Sequence, residues 1–172
     1  DGAKPMEIWG LPAHPLIVHA VVILVPLAAI GAAATAWRAE WRRWFMVPVV
    51  LLALVGAVSS VLAANSGEDL EERVEDRVSE TEEERIEDHG EAGEMARNLS
   101  LLFGATIVAF SGVALAERQK KALPKALPLA TWAVVVVVGL GATIAIISAG
   151  HSGAEAVWKE RGASGGQHED DD

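Results

Sequence analysis

The sequence predicts an all-α protein: a transmembrane four-helix bundle with the N and C termini outside and an acidic helical extension between helices 2 and 3. Three observations lead to this prediction. Hydrophobic residues make up 51% of the 172 residues, and they fall into four long runs whose centres carry no charge. Each run is close to the ~20 residues that a helix needs to cross about 30 Å of hydrocarbon. Lys and Arg collect in the two short connections after runs one and three.

The four runs supply the membrane spans in order, at about residues 16–37, 45–64, 99–116 and 127–149. A helix satisfies the backbone hydrogen bonds of such a run without help from water. A soluble bundle would instead show polar residues on one face of each helix. Small residues recur four apart in every run, which predicts close helix packing or space for a flat cofactor against a helix. Pro26 is expected to kink the first helix.

Charge sets the predicted orientation. The two basic connections hold seven Lys or Arg residues and two Glu residues, whereas the whole chain has a net charge of −10. Short basic loops stay in the cytoplasm, so the termini and the acidic segment are expected outside. An acidic outer face repels nucleic acid, which excludes it as a partner. The first run is too long for a signal-peptide core and is expected to be retained.

The remaining segments are short or acidic. Residues 1–13 are a lead-in to a membrane domain at 14–161, and residues 162–172 are expected to be a disordered acidic tail. Residues 66–98 carry apolar residues four apart among Glu and Arg, which predicts an amphipathic helix or helical hairpin above the membrane. A solvated charged linker is the alternative. Gly90 and Gly93 are expected to separate this segment from the third helix.

Four of the five histidines map to the outer ends of three helices. His14 is predicted at the N-cap of the first helix with Pro15 in its first turn, and His19 lies deeper. His89 precedes the third helix and His151 follows the fourth. Neutral imidazole is the commonest metal ligand, and bundles build metal sites from facing helices. His14 and His19 point about 140° apart on a regular helix, so a bis-histidine haem pairs one of them with His89 or His151. His19 is the preferred axial ligand because of its depth.

Other uses of the same histidines remain open. Three or four imidazoles suit Zn or Cu, with Glu155, Glu91 or Glu94 as carboxylate ligands. Interfacial histidines with only local hydrogen bonds are a further interpretation. The chain has no cysteine, which excludes disulfides, thiolate-bound iron–sulfur clusters and covalent c-type haem. Neither a nucleophile motif nor a phosphate loop occurs, so the chain is not expected to be an enzyme by itself. His168 in the tail is expected to play no part.

Two segments resemble a bacterial integral-membrane family catalogued as a domain of unknown function. They are His-Pro-Leu-Ile-Val-His at residues 14–19 and Gly-His-Ser-Gly-Ala-Glu-Ala-Val-Trp at residues 150–158. Members typically open with His-Pro-x-x-Val-His and have a histidine before the third helix. The resemblance covers about residues 11–161. Two departures stand out: Ala20 and Val21 replace the Phe-Pro that often follows the first motif, and no Tyr-Arg-His-Gly ending occurs after residue 158.

The resemblance implies a function because relatives are fused to Rieske iron–sulfur or cytochrome c domains. It implies a haem b protein of the bacterial inner membrane that transfers electrons, as a carrier or a subunit of a larger complex. The positions that match the family are His14, His19, His89 and His151. The acidic insertion is expected to dock a basic redox partner. A Zn or Cu protein and a cofactor-free accessory subunit are the alternatives.

Overall fold

The computed structural model describes the backbone of residues 7–8, 10–37, 39–74 and 78–165, and the side chains of residues 10, 12–35, 40–73 and 78–155. Four helices make up the fold: α1 (Ala13–Trp37), α2 (Ala39–Val74), α3 (Glu80–Arg118) and α4 (Leu127–Gly165). Each is long and apolar enough to span a membrane, which confirms the predicted all-α bundle of four spans. A minimal antiparallel pair precedes them, β1 (Glu7–Ile8) with β2 (Leu11–Pro12).

The acidic segment is a helical hairpin that continues α2 and α3 without a break. These helices contain 36 and 39 residues, so each is more than ~50 Å long at about 1.5 Å per residue. That length exceeds the ~30 Å of hydrocarbon, so both helices extend beyond the bilayer. A capping box begins α3, because the backbone N–H of Ser79 donates to the Glu82 carboxylate at 2.6 Å.

Two details of the sequence prediction were wrong. Gly90 and Gly93 lie inside α3 and do not break it; Gly90 faces α2, where an added Cβ would lie 3.2 Å from the Glu71 carboxylate. His14 is the second residue of α1 and not its N-cap. The helix α4 runs on to Gly165, and the disorder of the tail stays a prediction. Residues 166–172, with His168, lie outside the described part of the chain. α1 runs on through Pro26, and its kink stays a prediction.

The helices pack in a ring in which α1 contacts α2, α2 contacts α3, α3 contacts α4, and α4 contacts α1. Small residues spaced four apart lie at close helix contacts in two cases: a Cβ on Gly56 would lie 2.7 Å from Val25, and one on Gly104 would lie 3.4 Å from Ala57. A Cβ on Gly141, by contrast, would meet nothing within 4 Å. Only 22–33% of the most apolar window of each helix is buried inside the protein. Such an extensive exposed apolar surface fits contact with lipid.

The two ends of the bundle differ in chemistry. At one end α1 and α3 begin and α2 and α4 end; we call it the histidine end. At the opposite end, the Arg42 guanidinium and the Glu117 carboxylate join α2 to α3 at 3.2 Å. Trp41 stacks edge-on against Phe45 beside this ion pair, with ring centroids 6.3 Å apart. The histidine end and the basic connections therefore lie at opposite ends of the bundle.

The bundle consists of two similar hairpins, α1–α2 and α3–α4. A shift of 75 residues, the separation of His14 and His89, carries five of the six buried positions of α1 onto buried positions of α3, and these ten residues are 6% exposed or less. In α1 they are Val21, Val25, Ala28, Ala32 and Thr35, and in α3 they are Ala96, Ser100, Phe103, Ile107 and Phe110. A shift of 86 residues carries buried Val49, Ala53, Gly56 and Ser60 of α2 onto buried Val135, Gly139, Ala142 and Ile146 of α4.

Candidate functional site

A cavity of about 730 Å³ lies at the histidine end and is lined by residues of all four helices. Its volume is within the range of about 300–1,000 Å³ that is usual for cofactor and ligand sites. Aliphatic side chains line much of it, among them Val18, Val21 and Ile146, and the α2 and α3 extensions contribute several Glu side chains. Three of the four predicted ligands, His14, His19 and His89, line this cavity.

His14 on α1 is fixed against the end of α2. Its Nδ1 lies 2.9 Å from the Ala63 carbonyl oxygen and 3.3 Å from the Ser66 hydroxyl, and the ring is half-buried. The Ser66 hydroxyl itself donates to the Ala63 carbonyl. Both oxygens therefore act as acceptors toward the ring, so Nδ1 carries the proton and Nε2 keeps its lone pair. Gly67 allows this close approach, since a Cβ there would lie 3.1 Å from the ring carbon Cε1.

His89 on α3 is fixed in the same way against the end of α4. Its Nδ1 lies 3.2 Å from the Ser152 hydroxyl, which donates its own proton to the Ala149 carbonyl. A Cβ on Gly153 would lie 2.8 Å from His89 Cε1. Burial lowers the pKa of His89, the nearby His14 lowers it further, and a hydrogen bond with the Ala149 backbone acts in the opposite direction. The net effect favours the neutral imidazole that metals bind.

The two histidines form equivalent half-sites of the two hairpins. Each half-site consists of a histidine, a serine whose hydroxyl lies within hydrogen-bond distance of the histidine Nδ1, the carbonyl three residues earlier that accepts from this serine, and a glycine directly after the serine. The first half-site is His14, Ala63, Ser66 and Gly67; the second is His89, Ala149, Ser152 and Gly153. The shifts of 75 and 86 residues that relate the buried cores also relate these residues.

The half-sites meet across the cavity. The ring centroids of His14 and His89 lie 6.2 Å apart, and the ring planes are perpendicular, at 89°. Metal–imidazole bonds are about 2.0–2.1 Å long, so one metal ion bound by a nitrogen of each ring requires ring centres roughly 6 Å apart. Within the described residues, no group of three or more His, Cys, Asp or Glu side chains could hold a metal ion.

Comparison with known proteins identifies the family of this chain. Over residues 10–165 the chain matches a family described as "Predicted membrane protein (DUF2231)". The chain belongs to this family. The matched range contains both half-sites and all four helices. No curated protein and no solved structure matches the chain. The family description agrees with the four spans and assigns no chemistry to the cavity.

The other predicted ligands lie apart from the pair. His19 is exposed at the edge of the cavity, and its Nδ1 donates to the Pro15 carbonyl of its own helix. His151 is exposed on α4, where its Nε2 lies 3.8 Å from Glu155 of the same helix. Glu94 lines the cavity and is paired with Arg97 at 3.4 Å. Glu91 also lines the cavity and is exposed.

Sequence analysis missed the serine and glycine of each half-site. A signal for them exists, because Ala-x-x-Ser-Gly occurs at residues 63–67 and again at residues 149–153, where α2 and α4 pass the cavity. Ser and Gly are common near helix ends, so either copy alone carries little information. The repetition at equivalent positions of the two hairpins is what distinguishes this pattern from chance.

Proposed function

We propose that this membrane protein binds haem b between His14 and His89 and transfers electrons. The observation that carries the proposal is the pair of perpendicular imidazoles with centroids 6.2 Å apart. His14 and His89 would hold the haem through their imidazole nitrogens, and the haem would supply one-electron redox chemistry. His14 replaces His19 in this proposal, because His14 is the residue of the first motif that faces His89.

The donor set supports haem over a bare Zn or Cu ion. A structural Zn site is almost always four-coordinate, whereas the described residues bring only two imidazoles together. The cavity of about 730 Å³ and its aliphatic lining offer more space than one ion needs. Both Nδ1 atoms are tied to the protein, and this outer hydrogen bond orients the ring and raises the basicity of the ligand nitrogen.

The residues around the pair have separable tasks. The Ala63 and Ala149 carbonyls, with Ser66 and Ser152, hold the rings in one tautomer and orientation. The aliphatic lining excludes water, and together with the axial ligands it sets the reduction potential. Bound haem supplies a one-electron redox centre. The exposed carboxylates of Glu68, Glu87 and Glu91 at the cavity rim favour a basic redox partner.

The basic connections at the opposite end support an inner-membrane protein whose histidine end faces outward. In this orientation the chain accepts or delivers electrons at the outer face, as a carrier or a subunit of an oxidoreductase complex. The site lies at the end of the bundle and not at its centre, which suits exchange with a partner outside the membrane.

The test is a dithionite-reduced minus oxidised absorption spectrum of the full-length protein, purified in detergent from its native host. Sharp α and Soret bands are expected, and they should disappear in His14→Ala and in His89→Ala. His151→Ala is the matched control, because His151 is exposed and does not line the cavity; its spectrum should be unchanged.

Two results would overturn the haem proposal. A flat spectrum with stoichiometric Zn or Cu by elemental analysis would assign the histidine pair to that metal. A flat spectrum without metal, from protein that still unfolds cooperatively, would leave a cofactor-free accessory subunit. Bands that survive His14→Ala and vanish in His19→Ala would return the axial role to His19.

A further inference from the structure

His19 lies in a membrane span, where a polar side chain is energetically unfavourable. The His14–His89 pair does not explain why a histidine is found there. His19 lies in the span Ala13–Thr35, about 9 Å along the helix from its first residue at 1.5 Å per residue. Its side chain is exposed on the outer surface of the bundle. A polar, ionisable group within a membrane span indicates a functional site by default. Because Nδ1 donates to the Pro15 carbonyl, the ring has Nε2 left as a hydrogen-bond acceptor.

His19 belongs to a stripe of α1 that forms one edge of the cavity. Pro15, Val18, His19 and Val22 are spaced as one helix face, and all four line the cavity. Pro15 and His19 are exposed, and Val22 is 44% exposed. Across from them α4 contributes Gly150, which is also exposed. Exposed lining residues therefore lie on α1 and on α4 at this side of the cavity, which we infer to face lipid; we call this side the lateral mouth.

We propose that the lateral mouth binds the headgroup of a lipid-soluble quinol, with Nε2 of His19 accepting a hydrogen bond from a quinol hydroxyl. The tail of the quinol stays in the bilayer beside α1 and α4. This inference rests on the proposed function and names a substrate class for the same site. The two sites are connected, because His19, His14 and His89 line one cavity.

Charge selects a neutral headgroup over a phospholipid. Apart from the histidines, Arg97 is the one basic side chain among the described residues of the lining. It is already engaged by Glu68 at 3.6 Å and by Glu94 at 3.4 Å. The other charged groups of the lining are carboxylates, which repel a phosphate. A neutral hydroxyl donor matches the acceptor on His19, and Val18 and Val22 offer an apolar surface to an aromatic ring.

The test is photolabelling of the detergent-purified, full-length protein with an azido-quinol, the reduced form that carries the hydroxyl donors, followed by mass spectrometry of the labelled peptides. Label is expected on α1 around residues 15–22 and on α4 around residues 149–150, and excess decylubiquinol should remove it. His19→Leu should weaken competition by decylubiquinol about tenfold, the loss of one hydrogen bond of about 1.4 kcal/mol. His19→Gln keeps an acceptor and should recover part of the affinity. Val22→Trp should block the mouth, and His151→Leu should change nothing.

Label spread evenly over the lipid-facing surface, or competition that is unaffected by both His19→Leu and Val22→Trp, would overturn the quinol site. Displacement of the label by phospholipid and not by decylubiquinol would overturn it as well. The absorption spectrum of the same samples keeps the two proposals apart. Haem bands without specific labelling remove the quinol site alone. Specific labelling without haem bands removes the proposed function and leaves the chain as a quinol-binding protein.

Discussion

The two hairpins share their polar groups and differ in the volume of their cores. Both half-sites repeat the same histidine, carbonyl, serine and glycine. At equivalent buried positions, however, α1 carries Ala28 where α3 carries Phe103. The partner helices compensate, since Ala53 of α2 corresponds to Gly139 of α4. A Cβ on Gly139 would lie 2.8 Å from the Phe103 ring, so the large side chain occupies the space that glycine leaves.

This difference separates two requirements of the fold. Each hairpin needs only that the facing volumes add up, so a large residue opposite glycine serves as well as two alanines. The half-sites allow no such exchange, because a hydrogen bond to Nδ1 depends on where a particular carbonyl and hydroxyl lie. The hairpins could therefore diverge in packing while the polar residues that face the cavity stayed equivalent.

The largest expected effect is the loss of the Phe103 ring, which is fully buried. Phe103→Ala should lower the free energy of unfolding by about 3–5 kcal/mol because it leaves a cavity opposite Gly139. At the equivalent position of the other hairpin, Ala28→Gly should cost only about 1 kcal/mol. Unfolding of both variants by SDS titration in micelles measures the difference. Equal costs would show that the two cores carry similar packing energy despite their different volumes.

Next in size is the addition of a methyl group behind each histidine. Gly153→Ala places a Cβ 2.8 Å from the His89 ring, and Gly67→Ala places one 3.1 Å from the His14 ring. Each ring must shift, and overpacking of this kind costs about 1–3 kcal/mol. The greater loss is expected at Gly153. Thermal unfolding measures the cost, and the absorption spectrum shows whether the haem bands expected from the proposed function persist.

Gly141→Ala is the control for both glycine variants. It lies on α4 and an added Cβ would meet nothing within 4 Å, so stability should stay the same or rise slightly as backbone freedom is lost from the unfolded chain. A cost at Gly141 as large as at Gly153 would mean that α4 resists any added methyl group. The close approach of Gly153 to His89 would then lose its special role.

The four membrane spans and the location of the histidines at one end can be predicted from the sequence, because the length of an apolar run and the direction of a helix depend on local composition. The rotation of each helix about its own axis cannot be predicted in this way, because it depends on packing against the other helices. Depth along the first helix favours His19 as the ligand, but only the packing of α1 on α2 shows that His14 is the residue turned toward His89. The sequence likewise favours Gly90 as a helix breaker, because its close contact with α2 cannot be seen along the chain.

The smallest expected effect is the loss of one serine hydroxyl. Ser152→Ala and Ser66→Ala each remove an acceptor from a histidine Nδ1, at a cost of about 1 kcal/mol and about tenfold in cofactor affinity. Ser66→Ala should be milder, because His14 keeps its 2.9 Å bond to the Ala63 carbonyl. Haem titration of the apoprotein measures both, and Ser→Thr variants, which keep the hydroxyl, are the controls.

The double variant Ser66→Ala/Ser152→Ala decides whether the half-sites act as one. Residues that share a partner show a coupling free energy of about 0.5–3 kcal/mol in a double-mutant cycle, whereas the free-energy changes of independent substitutions add. If one cofactor joins His14 to His89, the effects of the two serine substitutions on the free energy of cofactor binding should be coupled. Their effects on the free energy of unfolding of the apoprotein should be additive. Additivity in both measurements would mean that the two histidines do not bind a common cofactor. The 6.2 Å approach of the rings would then be a consequence of the repeated fold and not of a shared ligand.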